Sequence, residues 1–444
     1  MNSFRDFVEK LEKEGKLIVI DKAVDPKYEI SAILKRAEGN AVKFTKVKGH
    51  AMPVVGGIGS SRELIAKSLG VDQKDLIFRI ADAIENPKKP KVINNPPCQE
   101  VVMRGKDVDI RKLPILTHYE KDGGPYLSSS IIVVSNKKWG RNIATHRMLA
   151  FGPRDKLVAR LCERDTLQYL NDAGGEIDAA VVIGVHPAVQ IASATRVKID
   201  VDEMGIANAL RETPTAKCLT KDIEIPAEAE IVLEGKLSAK ERVKEGPFVD
   251  ITGTYDFPER KEPVFTIEAI TMRKDAIYHA LLPGMAEHRL YMGMPREPTI
   301  YREVKKVCDC LNVALTPGGC GWLHGIVQIR KRSPEDGKNA IRAAYKGHAS
   351  LKHVIVVDED INMFDKDEVE WAIATRFQAG KDAIIEEAAG SSVDSSSDAI
   401  PGTDRRKTTR VGIDATIPHD KDKKDFLRPR IPGEDKIRLE DYLE

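Results

Sequence analysis

Long apolar runs are missing from this chain. No stretch approaches the ~18 residues that a membrane-spanning helix needs. The opening segment, MNSFRDFVEKLEKEGK, is too charged for a signal peptide. Both features predict a soluble, cytoplasmic protein. An excess of one charge is missing too. Lys and Arg number 70 and Asp and Glu 69, a net charge of +1 over 444 residues. Nothing therefore draws the chain over long range to nucleic acid or to an anionic membrane, and neither is expected as a partner. Cysteine is scarce, with six residues. Cys98, Cys162 and Cys218 are scattered, and Cys308, Cys310 and Cys320 do not have a zinc-site spacing, so free thiols are expected. The glycine-rich Thr316–Gly321 stretch matches neither G-x-x-x-x-G-K-[ST] nor G-x-G-x-x-G, which counts against an ATP-dependent enzyme and a Rossmann dehydrogenase. H-E-x-x-H and G-x-S-x-G are absent as well.

What is present is core-forming material. Apolar residues make up 41% of the chain and charged residues 31%, which excludes wholesale disorder. The length suggests about three domains. Residues 1–100 read as an α/β unit: Phe4, Phe7, Val8 and Leu11 recur at helical spacing, Leu17–Ile20 is strand-like, Tyr28–Ala37 is helical, and Val54–Gly57 reads as a strand and turn. Proline clusters at 86–97 mark its edge. Residues 101–305 are rich in short strands, among them Ile131–Val134, Ala179–Gly184, Ile231–Leu233 and Val264–Ile267, with a helix over Asp202–Arg211. Residues 306–444 alternate: helix at Val304–Leu311, strand at His324–Ile329, helix at Gly337–Lys346, strand at His353–Val357, helix at Val369–Arg376. Such alternation predicts a parallel or mixed sheet. Ser391–Ser397 reads as a mobile polar loop, and the tail from His419 as an arm or a mobile end.

Four polar segments could carry chemistry. Arg141–Arg147 follows an apolar strand, and strand ends are common places to mount a site. Asn142 offers an oxygen to a hard metal, and Arg147 the planar fork that grips a carboxylate. A solvated strand end is the plain alternative. Arg160-Leu161-Cys162-Glu163-Arg164 sets a carboxylate between two guanidinium groups, either an exposed ion-pair face or a site for a phosphate and a cation. Asp202-Glu203 opens a helix, where acidic residues are ordinary dipole partners. Glu245-Gly246-Pro247-Phe248-Val249-Asp250 carries two carboxylates. An extended strand would point them to opposite faces, but the Gly-Pro turn breaks that alternation and lets them converge. A pair in a cleft can divide into a proton donor and an ionised partner. An acidic surface turn is the alternative.

Together these segments resemble the UbiD family of decarboxylases, which use a prenylated flavin mononucleotide. The resemblance runs through Phe4-Arg5-Asp6-Phe7, the N-x-x-x-x-R string from Asn142 to Arg147, Ala229–Gly235, the E-G-P-F-x-D string from Glu245 to Asp250, Asp275–His279 and Gly412–Thr416. It implies an α/β (α+β) architecture, with a central split β-barrel that binds the flavin between N- and C-terminal α/β domains, the last of which often dimerises.

The resemblance also implies roles. Arg147, Glu245 and Asp250 match the catalytic arginine and two acids, Asp250 being the proton donor. Asn142 and Glu203 match two ligands of a divalent metal, usually manganese. The middle ligand falls near Glu163, where family members often have histidine. Ile143, Ala144, Thr145, His146 and Arg147, with Arg160, Leu161, Cys162 and Arg164, would line the prenylated FMN and its phosphate, and a potassium ion often accompanies them. A flavin prenyltransferase would supply the cofactor, and a homodimer or higher homo-oligomer is implied.

This agrees with the chemistry of the residues. Losing CO2 from a conjugated acid leaves an sp2 carbanion, which needs an electron sink that side chains cannot provide. Arg147 would hold the substrate carboxylate, Glu245 would fix Arg147, and Asp250 would return a proton. The chain's length and look resemble archaeal members that convert trans-anhydromevalonate 5-phosphate to isopentenyl phosphate. An aromatic acid such as a 4-hydroxybenzoate is the second expectation, and a non-catalytic flavin-binding protein belongs to another class. Arg289, Arg296 and Lys421 are candidates for a substrate phosphate.

Overall fold

The computed structural model describes residues 2–256, 260–403, 405–429 and 431–442. Its first helix, Phe4–Lys13, is capped at both of its early donors: the Ser3 hydroxyl accepts from the Asp6 amide and the Asp6 carboxylate accepts from the Ser3 amide. Phe4, Phe7, Val8 and Leu11 are its buried face. Strands Leu17–Ile20, Ala41–Phe44 and Val54–Gly56 lie side by side, and a fourth strand, Tyr278–His279, completes this small sheet from far along the chain. The N-terminal unit is thus sewn to the middle of the molecule. Glu230 strengthens the seam: its buried carboxylate accepts from Arg5 Nε (3.1 Å) and Nη2 (2.8 Å) and from the Ile277 amide (3.0 Å). Removing one partner of a buried ion pair typically costs about 3–5 kcal/mol. Glu230→Ala is expected to lower stability by an amount in that range, read as a shift of the urea midpoint.

A nine-stranded sheet forms the centre. Its order runs Tyr126–Leu127, Met148–Leu149, Lys156–Ala159, Arg260–Met272, Ile231–Glu245, Glu176–Ile183, Ile131–Asn136, Gly140–Thr145, with Val101–Arg104 also paired to Arg260–Met272. Every pairing is antiparallel. The two longest strands, of 15 and 13 residues, extend well beyond the short apolar runs visible in the sequence. Their outer halves are polar and reach toward the site.

Apolar residues stand in an unbroken run at 131–134 because both faces of the strand are covered. Ile132 and Val134 enter one core with Val181, Leu233 and Phe265, whereas Ile131 and Val133 enter another with Val182 and Val232. Helices Pro187–Ala194 and Glu203–Leu210 cover the second face and are almost wholly buried. The second begins where Asp202 accepts from the Met204 amide at 2.9 Å.

The C-terminal sheet is mixed, as the alternating pattern predicts. Its order is Asp309–Leu315, His324–Arg330, His353–Asp358, Arg406–Asp414, Ala383–Gly390, with Asp398–Ala399 beside Arg406–Asp414. Two expectations are corrected here. The helix expected at Val304–Leu311 is Glu297–Lys305, and a strand starts at Asp309. Pro298 sits in the helix's first turn, where its missing N–H costs nothing. The polar stretch Ser391–Ser397 is folded about Asp394, whose carboxylate meets Ser396 Oγ (2.7 Å), Thr408 Oγ1 (3.2 Å) and Lys352 Nζ (2.9 Å). Among the described residues no helix is long and apolar enough to cross a membrane, and all six cysteines are free.

Candidate active site

Arg147 stands between the strands Gly140–Thr145 and Met148–Leu149. Glu245 is the last residue of the longest strand and is fully buried. Arg147 donates from Nε to Glu245 Oε1 and from Nη2 to Oε2, both at 2.9 Å, the parallel two-bond geometry in which guanidinium and carboxylate are most strongly paired. The Tyr126 hydroxyl donates to Oε1 at 2.9 Å and accepts from the Gly246 amide at 3.1 Å. The Phe248 ring lies 4.6 Å from the guanidinium carbon. Burial opposes the charge on Arg147, but the Glu245 bonds and the charges of Glu245 and Asp250 outweigh it and raise its pKa.

The chain turns sharply after Glu245. Gly246 has φ +96°, a conformation that favours glycine. Asp250 consequently returns to the same guanidinium, with Oδ2 3.6 Å from Nη1. The two acids converge, and they differ. Both Glu245 oxygens are engaged and out of water. Asp250 uses Oδ1 to accept from the Ile251 amide at 2.6 Å, and its side chain is 32% exposed. Glu245 is built as a fixed acceptor, whereas Asp250 has Oδ2 facing the guanidinium and part of its carboxylate open to solvent.

Groups not singled out in the sequence complete this cluster. Asp256 Oδ2 lies 3.4 Å from Arg147 Nη2. His288 takes the Gly284 amide on Nδ1 at 3.0 Å, which leaves Nε2 as the protonated nitrogen in the neutral ring. Burial lowers its pKa, and Asp250, Arg289 and Arg147 are the charges around it. None of these stands in a motif; they are brought together by the fold.

A second polar cluster lies on the neighbouring strand. Glu203, buried, accepts from Asn142 Nδ2 (3.0 Å) and the Ile143 amide (3.1 Å). Asn142 Oδ1 accepts from Thr166 Oγ1 (3.2 Å), and Thr166 meets His146 Nε2 (3.0 Å). Among the described residues no cation pairs with Glu203, and burial pushes its carboxyl up to about 8. Two oxygen donors in a buried place short of positive charge suit a hard divalent ion. Glu163, expected as the middle ligand, is exposed on the segment before helix Asp165–Asp172, and no group of three His, Cys, Asp or Glu side chains is placed to hold a metal among the described residues.

The residues expected along the cofactor divide in the same way. Ile143 and Leu161 are buried, Ala144 and Thr145 half-buried, Cys162 and Arg164 exposed. Thr145 Oγ1 meets Ser193 Oγ at 2.7 Å, His146 Nδ1 faces the Arg160 carbonyl at 3.0 Å, and Arg160 bonds the Leu161 carbonyl and Glu262 (3.0 Å).

Known proteins bear on this geometry. Family models for the N-terminal, Rift-related and C-terminal domains of UbiD, described as 3-octaprenyl-4-hydroxybenzoate carboxy-lyase, match residues 8–84, 91–286 and 289–415. An anhydromevalonate phosphate decarboxylase from Methanocaldococcus jannaschii is 44% identical over 96% of this chain and 99% of its own. The enzyme of that name from Methanothermobacter thermautotrophicus is 42% identical over 93% and 96%. The UbiD-class enzyme HmfF from Pelotomaculum thermopropionicum, solved with FMN, superposes with a TM-score of 0.94 at 39% identity, covering 99% of this chain and all of that one. An evolved dimeric form of HmfF with prenylated FMN gives 0.90 at 38% identity, covering both chains fully.

Proposed function

The chain belongs to the UbiD family of carboxy-lyases, and we propose that within it this decarboxylase converts trans-anhydromevalonate 5-phosphate to isopentenyl phosphate with prenylated FMN. The observation that carries the catalytic part is the Arg147 clamp. A guanidinium locked by Glu245 keeps Nη1 for a substrate carboxylate beside Asp250. The prenylated flavin, when bound, supplies the electron sink for the bond to CO2. Arg147 orients the carboxylate, and Glu245 holds Arg147 through both oxygens. Asp250, partly open to the cleft, delivers a proton to the carbon that CO2 has left, and takes up a new one for the next turnover.

The substrate reading is supported by relatives of one activity at 42% and 44% identity over nearly the whole chain. Its test is a turnover assay. Protein co-expressed with a flavin prenyltransferase and given manganese and potassium is offered trans-anhydromevalonate 5-phosphate beside a panel of aromatic acids. Isopentenyl phosphate formed only by the prenylated-flavin protein supports the reading, and CO2 released only from an aromatic acid overturns the substrate.

Manganese would take Asn142 and Glu203 as ligands, and the flavin phosphate would complete its charge balance, with potassium alongside. The raised carboxyl of Glu203 gives this a pH signature. Its folded pKa, about 8, lies above the unfolded value. Between the two, folding takes up a proton, so metal-free protein loses stability as pH climbs toward 8, by up to a few kcal/mol. A metal ion replaces that proton, so metal affinity rises over the same interval. The gap in melting temperature between manganese-loaded and chelator-treated protein is expected to widen from pH 6 to pH 8.5. Glu203→Gln should abolish that widening. A gap independent of pH would count against Glu203 as a ligand.

A further inference from the structure

Among the described residues, every strongly buried arginine but one has an acidic partner. Arg147 has Glu245, and Arg376 has Asp358 and Asp360. Arg296 is 4% exposed, and among the described residues no carboxylate pairs with it. Its Nη2 donates to the Ala194 carbonyl at 3.1 Å, its guanidinium carbon lies 5.5 Å from the Trp322 ring, and its Nε has no hydrogen-bond partner. The charged groups acting on it are Arg164 and Arg196, both exposed; burial first, and then these two, press its pKa down to about 9. A buried guanidinium beside two more of like charge, with an open donor, is a site built for an anion.

The other two candidates for a phosphate are placed otherwise. Arg289 Nε is engaged by the Ile251 carbonyl at 3.2 Å, and Lys421 is exposed on the C-terminal tail. Arg296 ends the short turn Met294–Arg296, directly after helix Ala286–Gly293, which carries His288 beside Asp250 and Arg147. Eight residues of helix advance about 12 Å. One continuous segment thus carries His288, which feels Arg147 and Asp250, near its start and the carboxylate-free Arg296 at its end, and a phosphorylated six-carbon acid likewise has its carboxylate at one end and its phosphate at the other.

We propose that Arg296, aided by the charge of the exposed Arg196, receives the phosphate of the phosphorylated acid substrate. This rests on the substrate reading above. The flavin carries a phosphate of its own, and the experiment separates the two.

Inorganic phosphate and isopentenyl phosphate are titrated calorimetrically into the FMN-loaded protein, whose cofactor already occupies its own phosphate site. The wild type is expected to bind both, and Arg296→Gln to bind isopentenyl phosphate at least about 30-fold more weakly, the loss of a charged hydrogen-bond pair. FMN affinity and melting temperature should be unchanged. Arg296→Lys, which keeps the charge, should recover part of the affinity. Arg196→Gln, at the exposed edge, should weaken binding by about 5-fold and reports on the site even if Arg296→Gln folds poorly. Equal binding by wild type and both Gln variants overturns the proposal. So does a wild type that binds neither anion, and so does a loss of FMN affinity in Arg296→Gln, which gives the site to the cofactor. Phosphate binding that needs Arg296 in a protein that does not turn over trans-anhydromevalonate 5-phosphate would sustain the anion site and fail the substrate reading alone.

Discussion

Asp250→Asn is expected to cut turnover by about 10²–10⁴-fold while the flavin stays bound, the range that a positioned proton donor contributes. Asparagine preserves the shape and the bond from the Ile251 amide to the side-chain oxygen, 2.6 Å in the native chain. It has no exchangeable acidic proton. The Arg147–Glu245 clamp does not involve Asp250, so the guanidinium remains in place and the substrate's KM should change little. A fall in kcat with a steady KM and an unchanged flavin spectrum is therefore the signature. Turnover retained within a factor of about ten would remove Asp250 from the proton-donor role. The discrimination matters because Asp256 and His288 also stand by Arg147, and either would inherit the role if Asp250 were only structural.

That Glu245 and Asp250 converge was legible in the sequence, because a Gly-Pro pair between two acids five positions apart cannot continue a strand. The division of labour between them was not. It depends on Tyr126, which is 119 residues away and fills the second lone pair of Glu245 Oε1. Asn142 and Glu203 were legible as residues and become a pair only because a buried helix lies across the strand Gly140–Thr145. Glu163 shows the converse. Arg-Leu-Cys-Glu-Arg looks like a ligand set in one dimension, yet its polar members Cys162, Glu163 and Arg164 face outward while Leu161 packs inward. Local pattern is informative where the backbone is regular or sharply turned. It fails where a segment is irregular and tertiary contacts choose which side chain turns inward.

The same contrast appears in the fold. The run at 131–134 is a strand by composition, but that it is central follows from cores on both its faces. Strands of 15 and 13 residues were visible only as short apolar cores, since their polar ends have no periodic face to bury. Arg296 was one of three unplaced cations; only burial without a carboxylate sets it apart.

Glu245→Gln is expected to damage stability and catalysis together. The native carboxylate is fully buried and takes three bonds, two from Arg147 and one from Tyr126. In the variant one oxygen becomes an NH2, which meets a guanidinium NH or the tyrosine hydroxyl as donor against donor. Arg147 keeps its charge in a buried place, with Asp250 and Asp256 at 3.6 and 3.4 Å as its remaining acids. Breaking one side of a buried pair costs about 3–5 kcal/mol, which should appear as a lower urea midpoint with an unchanged slope. The catalytic loss has a different form from that of Asp250→Asn. An arginine drawn toward Asp250 and Asp256 both misplaces the substrate carboxylate and engages the proton donor, so KM should rise and kcat fall together, with kcat/KM reduced by at least about 10³-fold. Glu245→Asp tests the geometry against the charge. It keeps the anion but shortens the side chain by one methylene, so it should recover most of the stability and little of the activity. A variant that restored activity along with charge would show that Glu245 acts only as a counter-ion, and that the two-bond grip on Arg147 does not set the reaction geometry.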